Sequence, residues 1–208
     1  MKKFIIRFFD ILLSLILMPF ALALFILLLF PQLVCFGSVF YVSERSEHGG
    51  RSFKYIKLKS MRDIPVQGGG RAHLELTRIP SWGRFIRKTH LDEMPELFFI
   101  LIGRESFVGP RPLLAEHIAL VDSPERRMVK PGWTGFSQVY LKTRGVLPSR
   151  IQRRLDSKLG REISPSLYIK LLCATFFAPK RRISNPGPIV LAYRQSIQKQ
   201  QGERNESN

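Results

Sequence analysis

The sequence predicts an α+β fold: a small mixed domain of helices with a short β element, anchored by an N-terminal re-entrant membrane helix. Three observations carry this prediction. Residues 11–43 hold no charged side chain. Residues 53–61, FKYIKLKSM, alternate apolar and basic positions. Helix start and stop signals then follow one another from Thr89 onward. A chain of 208 residues can bury one core and still carry an appended element.

The apolar segment is the first element in order. A bilayer span needs about 20 apolar residues, and the stretch between Asp10 and Glu44 exceeds that. A signal peptide would have a shorter apolar centre of roughly 7–15 residues, followed by a small-x-small cleavage site that is not found here. Lys2, Lys3 and Arg7 precede the segment and a basic domain follows it, so both flanks favour the cytoplasmic side. Pro19 lies inside, where a proline breaks the helix hydrogen-bond ladder. Together these predict a hairpin over residues 1–43 that enters and leaves by the same face.

Residues 44–195 form the water-facing domain. FKYIKLKSM has the period of a half-exposed strand. DIPVQGGGRA, residues 63–72, is a loop whose triple glycine lacks the Lys-Ser/Thr of a phosphate-binding loop. A helix is expected from Asp92 to Leu101, with Gly103 as its stop. Residues 113–129 read as helical until Lys130-Pro131-Gly132 interrupts them. SLYIKLLCATFFA is apolar but broken by Lys170 and too short to span, which places it at the membrane interface or in the core. Residues 196–208 are a polar tail with the composition of a disordered segment.

Charge limits the function. Lysine and arginine total 33 against 16 acids, a net charge of +17, which calls for an anionic partner. Cys35 and Cys173 fit neither a disulfide framework nor a zinc site. The four histidines are scattered, with no HExxH pattern.

The acid pair Asp92-Glu93 then stands out. With Asp92 as N-cap, Pro95 falls in the first turn, where its missing N–H costs nothing, and Glu93 sits at the positive end of the helix dipole. That is an ordinary helix start. The same geometry suits a phosphate with a bound magnesium ion, since a carboxylate at such a helix end can hold the bridging metal. Arg111, kept extended by Pro110 and Pro112, can present a fixed guanidinium fork to phosphate oxygens.

RFFD near the start, FKYIKLKSM, GRFIRKTHLDEMPELFFILIGRESFVGPRPLL and KPGWTGFSQV occur here in a familiar order. The chain resembles the bacterial sugar transferases, small monotopic phosphoglycosyl transferases that begin polysaccharide or glycoprotein glycan assembly. The resemblance runs to about Asp156, and its most specific piece is LDE-x-P-x-L…VGPRPL. It implies that Asp92 is the nucleophile attacking the β-phosphate of a UDP-sugar, and that UMP leaves from a covalent aspartyl–phosphosugar. It also implies that Glu93 holds Mg2+ and that polyprenyl phosphate, expected to be undecaprenyl phosphate, takes the phosphosugar. Lys57 and Arg87 resemble the family's phosphate-site cations, and Pro110-Arg111-Pro112 its nucleotide-binding turn. Lys59 is a further cation of the right type on the same strand. The resemblance further implies the bacterial inner membrane, a catalytic domain on its cytoplasmic face, and downstream glycosyltransferases as partners.

Several positions depart from the family pattern. Ala23 stands near the place of the family's Ser-Pro break, with Pro19 about one turn earlier. Arg104-Glu105 replaces the usual Asp-Met after the helix, Tyr140 to Arg144 replace an Asn-Gly-Arg run, and Tyr168 replaces an aspartate. Two rival readings exist. One is a membrane-anchored basic protein binding anionic lipid or nucleic acid. FKYIKLK is a weak version of an interleaved nucleic-acid surface and no reading-helix motif occurs, so no nucleic-acid partner is expected. The other is a soluble magnesium-dependent nucleotidyl or phosphoryl transferase, which the apolar N-terminus opposes.

Overall fold

The computed structural model of the chain describes residues 2–46, 52–63, 78–145 and 147–177. The glycine-rich part of the expected loop and the polar tail lie outside the described residues. The chain begins with α1 (Lys2–Phe36), β1 (Phe40–Ser46), β2 (Ser52–Leu58), α2 (Ser81–Lys88), a 3-10 turn (Leu91–Glu93) and α3 (Glu96–Ile102). Then follow β3 (Ser106–Val108), α4 (Ala115–Val121), a second 3-10 turn (Arg126–Met128), β4 (Gly132–Thr134), α5 (Phe136–Arg144), α6 (Ser149–Glu162) and α7 (Pro165–Phe177). The fold is the expected mixture of helices with short sheets.

β1 and β2 pair antiparallel, from Phe40 opposite Leu58 to Ser46 opposite Ser52. The alternation read in the sequence decides the faces: Phe53 and Tyr55 are buried, whereas Ser52 and Lys54 are exposed. β3 and β4 pair parallel, joining the VGPRP and KPGW segments. Side chains on Gly109 and Gly132 would collide with the facing backbone, so only glycine allows this approach.

α1 lies along the domain over its whole length. Ile6, Phe9, Leu13, Met18 and Ala21 pack on a core of Leu97, Ile100, Phe107, Leu159 and Tyr168. Further on, Leu24, Phe25 and Leu28 pack with Leu58, Ile86 and Trp82. With buried Asp10 and Ser14 between them, these positions follow the helical period and form one stripe. Polar contacts pin both ends. Near the start, the Arg7 guanidinium donates to the carbonyls of Ile100 and Leu101, each at 2.5 Å. Near the end, Gln32 donates to the Lys59 and Val39 carbonyls and accepts from Trp82 Nε1 at 3.0 Å. The remaining surface of α1 stays apolar and exposed, with Phe4, Phe20, Leu27 and Phe30 all more than 70% accessible.

Three expectations are corrected in detail. No turn breaks the helix at Pro19: α1 is continuous through Pro19 and Pro31. The docking stripe supports the helix on both sides of the missing hydrogen bond. The helix expected to start at Asp92 starts at Glu96, with Pro95 as its N-cap and no side-chain cap. Gly103 ends it as expected, in the left-handed region at φ 85°. Finally, the helical stretch over residues 113–129 shrinks to α4 and a 3-10 turn. Pro124 lacks an N–H and drives the backbone before it out of the helical region.

Candidate active site

The LDE segment does not cap a helix; it is a helical turn of its own. His90 takes a left-handed conformation, φ 58° and ψ 20°, the one non-glycine with positive φ among the described residues. That reversal ends α2 and starts the 3-10 turn that carries Asp92 and Glu93. A non-glycine residue in this region stores modest strain, which is tolerated where the surroundings hold it.

The two acids are treated differently. Glu93 Oε1 accepts from Arg111 Nη2 at 2.9 Å and from Lys57 Nζ. Burial would raise the Glu93 carboxyl, but Arg111 and Lys57 beside it hold it below its ordinary value. Asp92, half-buried, makes no hydrogen bond or ion pair among the described residues. Burial pushes its carboxyl up; Lys57 and Arg87 oppose this and the adjacent Glu93 adds to it. One carboxylate is clamped, and the other is left with an unoccupied pair of oxygens.

The remaining predicted residues fall into place around the pair, with one exception. Lys57 projects from the inward face of β2 and also lies 3.3 Å from Glu96. Arg87 Nε donates to Ser60 Oγ at 2.8 Å, which leaves its charge acting on Asp92. Pro110 is fully buried and its carbonyl accepts from Gly132 N at 3.0 Å. Pro112 is buried as well, while Arg111 between them is exposed and reaches Glu93. Lys59 turns elsewhere: it pairs with Asp63 at 2.5 Å and with Ser38 Oγ at 3.0 Å. Its place just past the end of β2 takes it off the face that presents Lys57.

Several supporting groups escape a reading of the sequence. Glu96, the third acid of LDEMPE, is buried and accepts from the Tyr55 hydroxyl. Burial, followed by the Glu93 charge, pushes Glu96 well above the ordinary carboxylate range. Arg45 and Lys57 lie over the Tyr55 ring at 5.3 and 5.2 Å from its centre. Glu105 is fully buried with no partner for either oxygen among the described residues. Arg126 donates to the Arg111 carbonyl and, at 2.6 Å, to buried Asp156, so it fixes the Pro-Arg-Pro turn from behind. The third acid, three residues past the dyad, and the acid in the Arg-Glu departure were the available signals. The Arg126–Asp156 pairing, 30 residues apart, left none.

Among the described residues no group of three or more His, Cys, Asp or Glu is placed to hold a metal ion. What the site offers an ion is the Glu93 carboxylate, a hard oxygen donor beside a second carboxylate. That suits magnesium, which typically takes one or two carboxylates together with substrate phosphate and water.

The whole arrangement can hold a multiply charged anion between Lys57, Arg87 and Arg111 against an unengaged carboxylate. Comparison with known proteins agrees with that chemistry. The family model described as bacterial sugar transferase matches residues 1–182. A UDP-glucose:undecaprenyl-phosphate glucose-1-phosphate transferase of Xanthomonas campestris pv. campestris is 40% identical over 110 residues, 50% of this chain and 23% of the relative. A putative undecaprenyl-phosphate N-acetylgalactosaminyl 1-phosphate transferase of Bacillus subtilis is 41% identical over 96 residues, 44% of this chain and 54% of the relative. An undecaprenyl-phosphate galactose phosphotransferase of Salmonella typhimurium is 34% identical over 156 residues, 66% of this chain and 33% of the relative. The chain thus spans between 23% and 54% of the length of these relatives. With 182 of its residues matched, the chain belongs to the bacterial sugar transferase family.

Proposed function

We propose that the protein transfers a sugar-1-phosphate from a UDP-sugar to a polyprenyl phosphate, through a covalent intermediate on Asp92. The observation that carries this reading is the asymmetry of the dyad. Glu93 is held by Lys57 and Arg111, while Asp92 beside it keeps its oxygens unengaged and its carboxyl raised. An attacking carboxylate must be free to reach phosphorus, and the two cations on Glu93 both fix it in place and weaken it as a nucleophile. The three relatives support the substrates, since the name of each pairs undecaprenyl phosphate with a sugar. Their sugars differ, so the donor's sugar is left open.

In the first displacement an Asp92 oxygen forms a bond to the phosphorus that bears the sugar. The bond from that phosphorus to the bridging oxygen breaks, and UMP leaves with the electron pair. In the second, a phosphate oxygen of the polyprenyl carrier attacks the same phosphorus. The bond to Asp92 breaks, the carboxylate is restored and a polyprenyl diphosphate sugar is released. Two steps on one carboxylate let a water-soluble donor and a membrane-held acceptor use the site in turn. Lys57, Arg87 and Arg111 oppose the repulsion between carboxylate and diphosphate. Glu93 is the residue proposed to hold Mg2+, which would add charge neutralisation on the diphosphate. Release of Lys57 and Arg111 from Glu93 would turn both cations toward the substrate.

α1 supports a position at the membrane. As a straight helix its 35 residues would extend about 52 Å, against roughly 30 Å of hydrocarbon. Both ends are pinned to one domain, so the reading is a helix that dips into one leaflet and leaves on the cytoplasmic face. Cysteines at Lys2 and at exposed Lys54, in a Cys35/Cys173-free chain, should both be protected from an impermeant thiol reagent in intact cells. Labelling of one alone would mean a crossing helix.

The catalytic reading is tested by incubating the protein with UDP-sugar labelled in the sugar and no acceptor. Label should remain on the protein with release of UMP, and peptide mapping should place it on Asp92. Label elsewhere, or UMP release only when acceptor is present, would overturn the covalent route.

A further inference from the structure

Glu96 is an acid that the two-step transfer does not use, yet it lies against the cation nearest the dyad. It opens α3, three residues past Glu93, and its side chain is only 3% exposed. A carboxylate is seldom buried so deeply unless a partner compensates it. Here the partners come from β2, on which Phe53, Tyr55 and Lys57 share one face. The Tyr55 hydroxyl donates to Glu96 Oε1, and Lys57 Nζ lies 3.3 Å from the same oxygen.

Tyr55 is itself fixed. Its ring meets Phe53 edge-on at 5.9 Å, and Phe53 meets Phe99 of α3 in the same way at 5.7 Å. Lys57 Nζ stands 5.2 Å from the centre of the Tyr55 ring, a favourable place for an ammonium. Three groups therefore hold the lysine: the Glu96 carboxylate, the Tyr55 ring and Glu93. Glu105 also senses its charge but bonds to no described group, so it does not hold the ammonium.

These contacts fare differently during the first displacement. Lys57 and Arg111 leave Glu93 for the donor phosphates, and a lysine without another partner would regain the freedom of its four-carbon stem. Glu96 and the Tyr55 ring are buried beneath the site and remain. Where Lys57 stays matters, because it is the foremost of the cations that oppose the raised carboxyl of Asp92. We propose that Glu96, oriented by the Tyr55 hydroxyl, is a positioning residue that keeps Lys57 beside Asp92 once the donor has drawn it from Glu93. This inference rests on the two-step reading above and names what holds its principal cation in place.

Two measurements on the full chain in lipid nanodiscs test it. One is single-turnover UMP release without acceptor, from whichever of UDP-glucose, UDP-galactose and UDP-N-acetylgalactosamine wild type uses. The other is calorimetric titration with UDP, which carries the diphosphate without a sugar. Glu96→Gln keeps the shape and the acceptor oxygen but removes the charge. Its rate constant should fall on the order of 10-fold, short of the 10²-fold that a 1 Å misplacement can cost. Its affinity for UDP should stay level or rise, since a buried negative charge near the phosphates is gone. Damage to the fold would instead lower the amplitude of release and spare the rate constant of the intact molecules. Tyr55→Phe keeps the ring and should slow the step less, adding nothing on top of Glu96→Gln because the hydroxyl acts through that carboxylate. It carries the test should Glu96→Gln melt early. In a Lys57→Gln chain, Glu96→Gln should cost nothing further. An equal loss in both Lys57 backgrounds, or a UDP affinity that weakens as far as the rate, would overturn the positioning role and leave the transfer itself standing. No UMP from wild type with any of the three donors would overturn both.

Discussion

Arg111 stands between two regions that bury carboxylates in opposite ways. Behind its backbone, Asp156 uses both oxygens: Arg126 donates to one at 2.6 Å and Ser137 Oγ to the other. In front of its side chain, Asp92 and Glu105 are partnerless among the described residues, and Glu96 shares Lys57 with Glu93. Both regions are dry enough for burial to raise their carboxyls. The difference is what each carboxylate is given in exchange. A satisfied buried pair holds a position, whereas an unsatisfied acid stores unfavourable energy that a cationic or phosphorylated substrate complex can relieve. Substitutions in the first region should therefore cost stability, and those in the second should cost turnover while the fold holds or gains.

The sharpest test of that contrast is Asp92→Asn. Asparagine keeps the shape but offers no anionic oxygen, so turnover should fall by roughly 10⁴-fold or more, the scale seen when a nucleophile is removed. Its melting temperature should not fall, because burial raises the Asp92 carboxyl and a neutral amide avoids that desolvation cost. A large loss of stability would move Asp92 into the structural region. Glu93→Gln should lose on the order of 10²-fold, the scale for removing one charge-stabilising group. Part of that loss should return at high magnesium, since the nucleophile survives and only a hard ligand is weakened. Rates that ignore magnesium would remove the metal from the proposal.

Behind the turn the expected effect is on folding. Arg126→Ala leaves Asp156 as an unpaired buried charge, at a cost of about 3–5 kcal/mol in denaturant titrations. Replacing both partners, Arg126→Met with Asp156→Leu, should recover most of that stability, because well-packed apolar groups avoid the desolvation cost. It should not recover donor use, as Arg126 also holds the Arg111 carbonyl. Full activity in the double variant would show that the turn needs no support from behind.

The two regions were also unequally legible in the sequence. Asp92, Glu93, Lys57 and Arg111 stand out through a contiguous motif and a strand alternation, and the fold brings Lys57 and Arg111 onto Glu93 beside Asp92. Local signals misplaced the helix start, because Pro95 fits either a first turn or an N-cap and only the left-handed His90 decides between them. Lys59 had the right charge but sits one residue past the end of β2, where period-two reasoning stops. Arg126–Asp156 and Tyr55–Glu96 are pairings across 30 and 41 residues. No local period encodes such distances. The continuity of α1 across Pro19 likewise depends on tertiary support that propensity does not contain.

The smallest expected effect bears most directly on the comparison, because Glu105 is the most deeply buried acid of the second region. Its side chain is wholly buried, with neither oxygen bonded among the described residues. Burial first, then the charge of Glu96, push its carboxyl up to about 9. A folded pKa above the unfolded value means that the proton is held more tightly in the native state. The associated stability is complete below the ordinary carboxylate range and is lost as pH rises through about 9. Wild type should therefore melt progressively lower between pH 6 and pH 9. Glu105→Met removes the proton and both unsatisfied oxygens while filling similar volume, a change that can be neutral or stabilising. It should raise the melting temperature at pH 9 by several degrees, at about 2–4 °C per kcal/mol for a chain of this size, with a smaller gain at pH 6. Differential scanning fluorimetry at both pH values would measure this. If the variant melted lower than wild type at pH 9, Glu105 would be a satisfied carboxylate like Asp156, and the contrast between the two regions would narrow to Asp92 alone.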